Sequence, residues 1–399
     1  MHILMIAPQP FFEARGTPFS EYHRIRALGD LGHTVDLVTY PFGEDVELPG
    51  LRVFRCWRPP LIRNVRIGPS MAKVPLDLSL AVTAFRRASA GKYDAVHSHE
   101  EGGAIGVLIA ATLGVPHLYD MHSSLPQQLV NFDFSHSRAL HGIARRLERL
   151  MVRRSRVVIV ICQELADVVR EVDPGANPVL IENAPGSGET PRQGDGAAAR
   201  ARLGLGPDVP VVLYTGTFEA YQGLDLLFDA AAIVKAQDPR VRFVLAGGTP
   251  AQVDTARQRV ARDGTSDLVI LAGHRPAEEV PALLDAATVL ASPRSTGTNT
   301  PLKIYQYLRA GRVIVATRLR THTQVLDDEV AILTEPTPVG FAAGILAAVR
   351  DPARAAAIGE RARTLAETKY SYAAYLDKTR EACDRLAGTP QAQVARNAV

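Results

Sequence analysis

Cysteine is scarce in the sequence, and long apolar runs are absent. The three cysteines, Cys56, Cys162 and Cys383, lie far apart and show no metal-binding spacing, so we expect no disulfide framework and infer a reducing compartment. No apolar run approaches the roughly 20 residues that a helix needs to cross a bilayer. The first residues, MHILMIAPQP, lack the basic region and long apolar segment of a signal peptide. We therefore expect a cytoplasmic protein.

Several other patterns are missing as well. Nothing in the sequence resembles an aromatic RNA-binding platform or a zinc finger, so nucleic acid is not an expected partner. There is no tandem repeat with a period of roughly 20–50 residues. What is present, 46% hydrophobic and 22% charged residues, is typical of a soluble globular protein. A chain of 399 residues is too long for one ordinary core, which predicts two domains.

The net charge is only +3, but basic residues are concentrated in two segments of the first half. Asp77 is the only acid in residues 52–92, and Glu148 is the only one in residues 138–156. The basic residues are Arg52, Arg55, Arg58, Arg63, Arg66, Lys73, Arg86, Arg87 and Lys92 in the first segment and Arg138, Arg145, Arg146, Arg149, Arg153, Arg154 and Arg156 in the second. Such clusters suit an anionic partner, either a phospholipid surface or a lipid-linked phosphate. Solvated helix faces are the alternative explanation.

Apolar runs of strand length alternate with helical patterns along the whole chain. In the first half the runs are HILMIAP (2–8), TVDLVTY (34–40), LRVFRCW (51–57), AVHSH (95–99), PHLYDMH (116–122) and VVIVIC (157–162). In the second half they are VPVVLYTG (209–216), VRFVLAGG (241–248), LVILAG (268–273), ATVLASP (287–293), RVIVAT (312–317) and AILTE (331–335). Nearly continuous apolar runs are typical of strands covered on both faces. The pattern predicts an α/β protein with two doubly wound parallel sheets.

A stretch rich in Gly, Pro, Ser and Ala separates the two series and is typical of a linker. We predict a first domain over 1–185, a linker over 186–208 and a second domain over 209–370. A helix over 371–388 then follows and can pack back on the first domain, and 389–399 form a frayed tail.

The segment GTNTPLKIYQYLRAG (297–311) predicts a short helix between two strands of the second domain. Thr300 or Asn299 can cap the helix, Pro301 is favoured at the first helical position, and Gly311 fits the position after the end. The free backbone N–H groups at such a helix start bind anions. A phosphate site is therefore expected here, and Gly297 would let the chain approach it closely.

Lys303 is a cation in the first turn of this helix. Because a helix start already carries about half a positive charge, a cation there costs roughly 0.3–1 kcal/mol. A bound anion would cancel that cost, and Gln306, three residues on, is expected to share the face. The alternative is a capped helix with a solvated lysine.

Polar side chains also follow strands of the first domain. EARGTP (13–18) comes after the first strand but lacks the G-x-G-x-x-G spacing of a dinucleotide site. His122 in YDMHSSLPQQ (119–128) and a group with His99 and Glu100 in AVHSHEEGG (95–103) lie at strand ends. A lone histidine is more often structural than functional, so the residues alone leave both roles open.

The two-domain plan and these segments, together with YTGTFEAYQGLDLLFDA (214–230) and LAGHRPAEEV (271–280), resemble the retaining glycosyltransferases of family 4, the glycosyl transferases group 1. The resemblance covers nearly the whole chain. It implies the GT-B fold, two Rossmann-like domains facing an interdomain cleft. The first domain would bind the acceptor and the second the nucleotide-sugar donor. The implied reaction moves a sugar to an acceptor hydroxyl with retention of anomeric configuration.

The resemblance also implies roles for individual residues. His122, expected at the donor sugar, and Lys303, expected at the leaving phosphate, would be catalytic. The donor-binding residues would be Gly16, Thr17, Gly216, Thr217, Gln222, Arg275, Thr298, Asn299, Thr300 and Gln306, and the acceptor-binding residues would be Arg15, His99 and Glu100. No metal ion and no cofactor are expected, since the GT-B plan holds phosphates with helix ends and cations.

The sequence departs from the family pattern at four positions. Thr298 and Gln306 stand where the family carries two glutamates. Phe218 and Gln222 stand near the positions of an arginine and a lysine that bind the donor diphosphate. Lys303 would therefore be the main cationic contact, with Arg275 and Arg318 as helpers.

The expected partners are a nucleotide sugar, a glycan or lipid-linked acceptor, and an anionic membrane surface at the inner face of the cytoplasmic membrane. The departures leave two alternatives open. One is a catalytically silent sugar- or nucleotide-binding subunit with the GT-B fold, and the other is a nucleotide-sugar epimerase.

Overall fold

The computed structural model describes residues 1–13, 16–60, 62–65, 70–131, 137–183 and 195–388, apart from the side chains of 130 and 131. Arg15 and Arg66, both singled out in the sequence, lie outside the described residues. The chain divides into two compact units. Unit 1 comprises Met1–Pro185 with Tyr372–Val399, and unit 2 comprises Gly186–Ser371.

Unit 1 contains a parallel sheet of seven strands in the order β3-β2-β1-β4-β5-β6-β7. The strands are β1 (His2–Ala7), β2 (Thr34–Thr39), β3 (Leu51–Arg55), β4 (Ala95–His99), β5 (His117–Met121), β6 (Val157–Val160) and β7 (Val179–Leu180). The helices that connect them are α1 (Gly16–Asp30), α2 (Lys73–Ala90), α3 (Gly102–Leu113), α4 (Leu125–Asn131), α5 (Arg138–Arg154) and α6 (Gln163–Val172).

Both faces of this sheet are covered, which explains why its strands are apolar throughout. Leu4 and Ile6 of β1 pack with Leu76 and Leu80 of α2 on one face. The alternate residue Met5 packs on the other face in a cluster that includes residues of α1. A strand with helices on both sides buries every side chain, so polar residues are displaced to its ends.

Unit 2 contains a parallel sheet of six strands in the order β10-β9-β8-β11-β12-β13. The strands are β8 (Val211–Thr215), β9 (Arg242–Ala246), β10 (Val269–Gly273), β11 (Val289–Ser292), β12 (Val313–Thr317) and β13 (Ile332–Thr334). The helices are α7 (Gly196–Arg202), α8 (Leu224–Gln237), α9 (Pro250–Arg262), α10 (Val280–Ala286), α11 (Leu302–Ala310), α12 (Arg320–Thr323), α13 (Pro338–Arg350) and α14 (Pro352–Thr368). The two doubly wound parallel sheets predicted from the alternating pattern are confirmed.

The last helix, α15 (Tyr372–Ala387), belongs to unit 1. Tyr375 and Leu386 of α15 lie in one apolar cluster with Ile159 of β6. The segment predicted as a linker contains α7, where the Asp195 side chain caps the start by accepting a hydrogen bond from the Ala198 N–H at 2.9 Å. No helix in the described part of the chain is long and apolar enough to span a membrane.

Candidate functional site

The carboxyl edge of the unit 2 sheet has a topological switch point between β8 and β11, the place where open α/β sheets bind ligands. Gly216 and Thr217 follow β8 directly, and the loop 293–301 leads from β11 into α11. A methyl group added at Gly247, after β9, would lie 1.8 Å from the carbonyl oxygen of Gly216. Only glycine fits there, and the backbone of both loops therefore packs closely at this edge.

Helix α11 begins one residue later than its sequence predicts. Pro301 occupies the capping position with an extended backbone, φ −62° and ψ 134°, and no side chain caps the helix. The predictions of Pro301 as the first helical residue and of a Thr300 or Asn299 side-chain cap are therefore wrong. The hydroxyl of Thr300 is buried and has no hydrogen-bond partner. The predicted end at Gly311 is confirmed, with φ 64° in the left-handed region.

Lys303 is buried at the start of α11, with only 8% of its surface exposed. Its Nζ has no hydrogen-bond partner and lies 3.8 Å from the centre of the Tyr214 ring. It also lies 3.0 Å from the point that a Cβ on Gly216 would occupy. Burial, reinforced by the Arg294 guanidinium, holds the pKa of Lys303 well below its usual value. The ammonium thus faces the switch point without a counter-charge.

Arg294 is a second cation at this edge, and the sequence reasoning missed it. Its Nη1 donates to the carbonyl oxygen of Asn299 at 2.6 Å and to the hydroxyl of Thr321 at 3.1 Å. Its guanidinium carbon lies 5.0 Å from the centre of the Tyr221 ring. Burial lowers the pKa of Arg294. Its position directly after a buried strand, three residues before Gly297, was the available sequence signal.

One buried and one half-buried cation, Lys303 and Arg294, make this edge a candidate anion site. Among the described residues of unit 2, neither Lys303 nor Arg294 forms an ion pair with an acid. Burying a charge is costly unless an opposite charge or hydrogen bonds compensate it. A phosphate at the start of α11 would supply that compensation and would also accept the free N–H groups of the first turn.

The other predicted donor residues lie around this centre with differing exposure. Asn299 and Thr300 are half-buried, whereas Gly216, Thr217 and Gln306 are exposed. Gln306 is therefore exposed while Lys303 is buried, although the two residues lie three positions apart on one helix. The structure thus brings Gly216, Thr217 and residues 298–300 together with Lys303 and leaves Gln306 at the surface.

The remaining predicted positions have partners of their own. The Thr298 carbonyl accepts a hydrogen bond from the Gln324 side chain at 2.8 Å. Arg275 pairs with Glu279 at 3.6 Å, and Arg318 pairs with Asp328 at 2.6 Å. Gln222 ends the short 3₁₀ turn Ala220–Gln222 and is half-buried. The Phe218 ring packs against Gly248, where an added Cβ would meet it at 2.8 Å.

A buried polar cluster occupies the carboxyl edge of the unit 1 sheet. Asp120 lies at its centre, and its Oδ2 accepts a hydrogen bond from Nε of Arg24 at 3.0 Å. Nε2 of His122 lies 3.4 Å from Oδ1 of Asp120 and 3.1 Å from Nδ1 of His99. Burial acts to raise the pKa of Asp120, but Arg24 and His122 hold it well below its usual value. Burial lowers the pKa of His122 and of His99.

Two further acids lie next to this cluster. Glu100 has a left-handed backbone, φ 48°, and its carboxylate accepts hydrogen bonds from Ser123 at 2.7 Å and Gln128 at 2.9 Å. Burial and the neighbouring Glu101 raise the pKa of Glu100 to about 8. Glu21 is fully buried, neither of its carboxyl oxygens has a hydrogen-bond partner, and burial and Glu100 raise its pKa well above the usual value. Both side chains favour the protonated form at neutral pH.

The structure places His122, His99 and Glu100 at the same edge of the unit 1 sheet. His99 has no exposed surface, so in this structure it contacts Asp120 and His122 rather than solvent. Gly16 begins α1 with φ 50°, and Thr17 follows it half-buried. The sequence reasoning missed Arg24, Glu21 and the central role of Asp120, because they come from elements far apart in the chain.

His97, His99 and Asp120 place potential ligand atoms within 4.8 Å of one another. A metal ion bound there would face the Arg24 guanidinium, which already donates to Asp120. The guanidinium supplies the positive charge that this carboxylate needs, so the geometry favours a structural hydrogen-bond cluster over a cation site.

Two family models match the chain in tandem. Residues 22–184 match the glycosyl transferase 4-like domain, and residues 209–351 match the glycosyl transferases group 1. The D-inositol 3-phosphate glycosyltransferase of Acidothermus cellulolyticus is 29% identical over 319 residues, which cover 73% of this chain and 69% of the relative. The alpha-D-kanosaminyltransferase of Streptomyces kanamyceticus is 27% identical over 306 residues, covering 73% and 76%. Other relatives are matched over about half their length, such as the 49% covered of the Rhodococcus jostii D-inositol 3-phosphate glycosyltransferase.

Solved structures share the fold over nearly the whole chain. Sucrose-phosphate synthase from Thermosynechococcus elongatus has a TM-score of 0.77 at 21% identity, covering 98% of this chain and 100% of that one. HepE from Anabaena in complex with UDP has a TM-score of 0.76 at 19% identity, covering 96% and 100%. The predicted GT-B fold is therefore confirmed.

Proposed function

We propose that this chain, which belongs to the glycosyl transferases group 1, transfers a sugar from a nucleotide-sugar donor to an acceptor hydroxyl with retention of anomeric configuration and without a metal ion. The observation that carries the proposal is the buried cation Lys303, with half-buried Arg294 near it, at the switch point of unit 2. Such an edge recognises a diphosphate, the leaving group of a nucleotide sugar.

In this proposal the protein stabilises charge on the leaving group. The bond between the anomeric carbon and the donor phosphate oxygen breaks, and the diphosphate leaves with the electron pair. Lys303 and the N–H groups at the start of α11 hold that diphosphate. The acceptor oxygen bonds to the anomeric carbon from the same face, and its proton passes to the departing phosphate oxygen. Prearranged donors of this kind contribute several kcal/mol when water is excluded.

The residues at the unit 1 edge would hold the sugar and the acceptor. His122 would contact the donor sugar, where its neutral imidazole can accept or donate one hydrogen bond. Burial keeps its pKa low, so the ring is neutral at pH 7 and adds no positive charge beside the developing cation. Glu100 would bind acceptor hydroxyls, with Ser123 and Gln128 fixing its orientation.

The acceptor class we propose is a lipid-linked or cell-envelope glycan, reached from the inner face of the cytoplasmic membrane. The basic segments of unit 1 support this choice, because they suit an anionic surface. The relatives' names include a D-inositol 3-phosphate glycosyltransferase, and a fold neighbour was solved with UDP, so these compounds are the first probes to test.

A catalytically silent nucleotide-binding subunit is the second candidate. Thr298 and Gln306 stand where the family carries two glutamates, and Gln306 is exposed. A protein of this kind would bind the donor without turnover. An epimerase would instead release nucleotide without any acceptor.

One assay separates the three functions. The protein is incubated with UDP-, GDP- and ADP-sugars, alone and with D-inositol 3-phosphate or a bacterial lipid extract, and released nucleotide is measured. Acceptor-dependent release with a glycosylated product supports the transferase. Release without acceptor indicates the epimerase, and binding without turnover on every donor indicates the silent subunit. Exposed Lys369 provides a control, because Lys369→Ala should act as wild type whereas Lys303→Ala should lose donor binding.

A further inference from the structure

Helix α2 of unit 1 is apolar on both faces. Its inner face, with Leu76, Leu80 and Ala84, packs on the sheet. Its outer face presents a second apolar stripe, at a spacing of three and four residues: Met71, just before the helix, followed by Val74, Leu78, Val82 and Phe85. Met71 is 75% exposed and Leu78 is 68% exposed. A helix on the surface of a soluble protein normally carries polar residues on its outer face, so this stripe calls for a partner.

The stripe continues across the neighbouring helices. Helix α3 packs beside α2, and α5 packs beside α3, so the three helices form one layer over the sheet. Leu108 of α3 is exposed, as are Ile143, Leu147 and Leu150 of α5. Trp57 lies just beyond β3 and is 66% exposed. Apart from Tyr221 and Val339, every exposed large hydrophobic side chain of the described residues lies between 57 and 150. We call this surface the three-helix face.

The charges on the three-helix face have one sign. Its exposed charged residues are Arg86, Arg138, Arg145, Arg146, Arg149, Arg153 and Arg154. The acids of the three helices are turned inward: Asp77 accepts a hydrogen bond from the Tyr40 hydroxyl at 2.5 Å, and Glu148 accepts one from the Leu125 N–H at 2.9 Å. No described residue of α2, α3 or α5 is an exposed acid. The face therefore combines apolar side chains with exposed positive charge.

That combination identifies the partner by its chemistry. An anionic phospholipid bilayer offers acyl chains to the apolar stripe and phosphates to the guanidinium groups. Long arginine side chains can lie along the apolar surface while their heads reach the phosphates. A second copy of this chain is a poorer partner, because a symmetric contact would bring two sets of arginines together.

We propose that the three-helix face docks unit 1 on an anionic lipid bilayer, with the α2 stripe in the interfacial region and the arginines of α5 on lipid phosphates. This deepens the proposed function, on which it rests, by specifying which surface meets the membrane. The contact is peripheral: side chains of the three helices enter the interface, and the sheet beneath them stays folded.

The test is co-sedimentation of the full chain with vesicles, without donor or acceptor. Vesicles of phosphatidylcholine alone are compared with vesicles that also contain phosphatidylglycerol. Leu78→Glu with Val82→Glu alters the stripe, and Arg145→Glu with Arg149→Glu alters the charge. Val339→Glu and Arg354→Glu are matched controls, since both residues are exposed in unit 2. Circular dichroism and binding of UDP show whether each variant is folded.

We expect wild type and both controls to bind only the vesicles with phosphatidylglycerol. Each double variant should lose about tenfold or more in partition coefficient while keeping UDP binding, because apolar insertion and charge attraction both contribute. Three results would overturn the proposal. The first is that wild type does not bind the vesicles, and the second is that the control variants lose as much binding as the double variants. The third is that the protein forms a dimer that Leu78→Glu dissociates. Vesicle binding by a protein that turns over no nucleotide sugar would leave the docking intact and remove only the transferase function.

Discussion

Nζ of Lys303 lies 3.8 Å from the centre of the Tyr214 ring. Lys303 is the second residue of α11, which follows β11, and Tyr214 belongs to β8, so the two residues meet from opposite sides of the switch point. A cation over an aromatic face is stabilised by about 0.5–2 kcal/mol, less than the cost of burying it alone. The ring therefore holds the ammonium in place but leaves its charge available to a phosphate.

Lys303→Met tests whether this charge is kept for binding rather than for stability. Methionine fills a similar volume without a charge, so we expect the free energy of unfolding without ligand to rise by about 1 kcal/mol. Nucleoside diphosphate affinity should fall about 10–100-fold, the effect of losing one charged hydrogen bond. Urea denaturation and titration calorimetry measure the two quantities. Lys235→Met in the same unit removes exposed contacts with Asp267 and with the Gly264 carbonyl, and we expect it to change both quantities little.

The result that contradicts this assignment is a Lys303→Met protein that is less stable and binds nucleotide normally. The lysine would then be a structural residue whose stem packs on Tyr214.

The depressed pKa of Lys303 makes nucleotide binding depend on pH. Burial and Arg294 lower this pKa in the free protein, and a bound diphosphate raises it again. Binding above the free-protein pKa must therefore take up a proton, and affinity should fall by at most about tenfold per pH unit as the pH rises. Calorimetry in buffers of different ionisation enthalpy measures the uptake. Lys303→Met has no amine at residue 303, so its proton uptake on nucleotide binding should be smaller than that of wild type. Equal proton uptake by the two proteins would contradict the prediction.

Arg294 fixes the loop that leads into α11, through the carbonyl of Asn299 and the hydroxyl of Thr321. Arg294→Lys keeps the charge, but lysine is one bond shorter than arginine and lacks the planar guanidinium beside the Tyr221 ring, so we expect its ammonium not to reach both acceptors as Nη1 does. We expect about tenfold weaker nucleotide binding, equivalent to one hydrogen bond of roughly 1–2 kcal/mol. Cleavage by a non-specific protease within residues 295–300 should become faster. Exposed Arg354→Lys is the control, and an unchanged cleavage rate would argue against a positioning role.

The fold was predictable because burial on both faces leaves a strong periodic signal. Continuous apolar runs marked the strands of both sheets except the two-residue β7, which is too short to leave such a run, and Gly311 marked the end of α11 correctly. The start of α11 was wrong by one residue, since proline is compatible with both the capping and the first helical position. The local sequence does not distinguish the capping position from the first helical position, because contacts with the rest of the fold also affect the backbone at Pro301.

The candidate site was only partly predictable, for a different physical reason. The position of Lys303 at a helix start was visible in the sequence, but its contact with Tyr214 joins residues of separate elements. Arg24 and Asp120 lie 96 residues apart and meet at 3.0 Å. Long side chains can reach in several directions, so their partners follow from the packed structure and not from spacing.

The pair of Arg24 and Asp120 should be the most sensitive polar contact in unit 1, because both side chains are almost fully buried. Arg24→Met leaves the carboxylate among histidines without its guanidinium, and we expect a loss of about 3–5 kcal/mol in the free energy of unfolding. Arg24→Met combined with Asp120→Asn should recover part of that loss. Arg26→Met on the same helix removes only a contact with the Tyr372 ring and should cost about 1 kcal/mol or less. Equal effects of the two single variants would contradict the buried-pair assignment.

We expect the free energy of unfolding to depend on pH through Glu100 in unit 1. Burial and Glu101 raise its pKa from an ordinary 4.5 to about 8, so the folded chain keeps a proton that the unfolded chain releases. The unfolded state therefore binds fewer protons between these two values, and this group's contribution to stability falls as the pH rises through them, by at most about 1.4 kcal/mol per pH unit. Glu100→Gln retains a neutral side chain that can bond to Ser123 and Gln128, so its unfolding free energy should decline less steeply from pH 5 to pH 8.

Exposed Glu171→Gln should follow wild type. Denaturant titrations at several pH values measure the slopes, and parallel curves for all three proteins would mean that Glu100 is ionised in the folded chain and already paired with a cation.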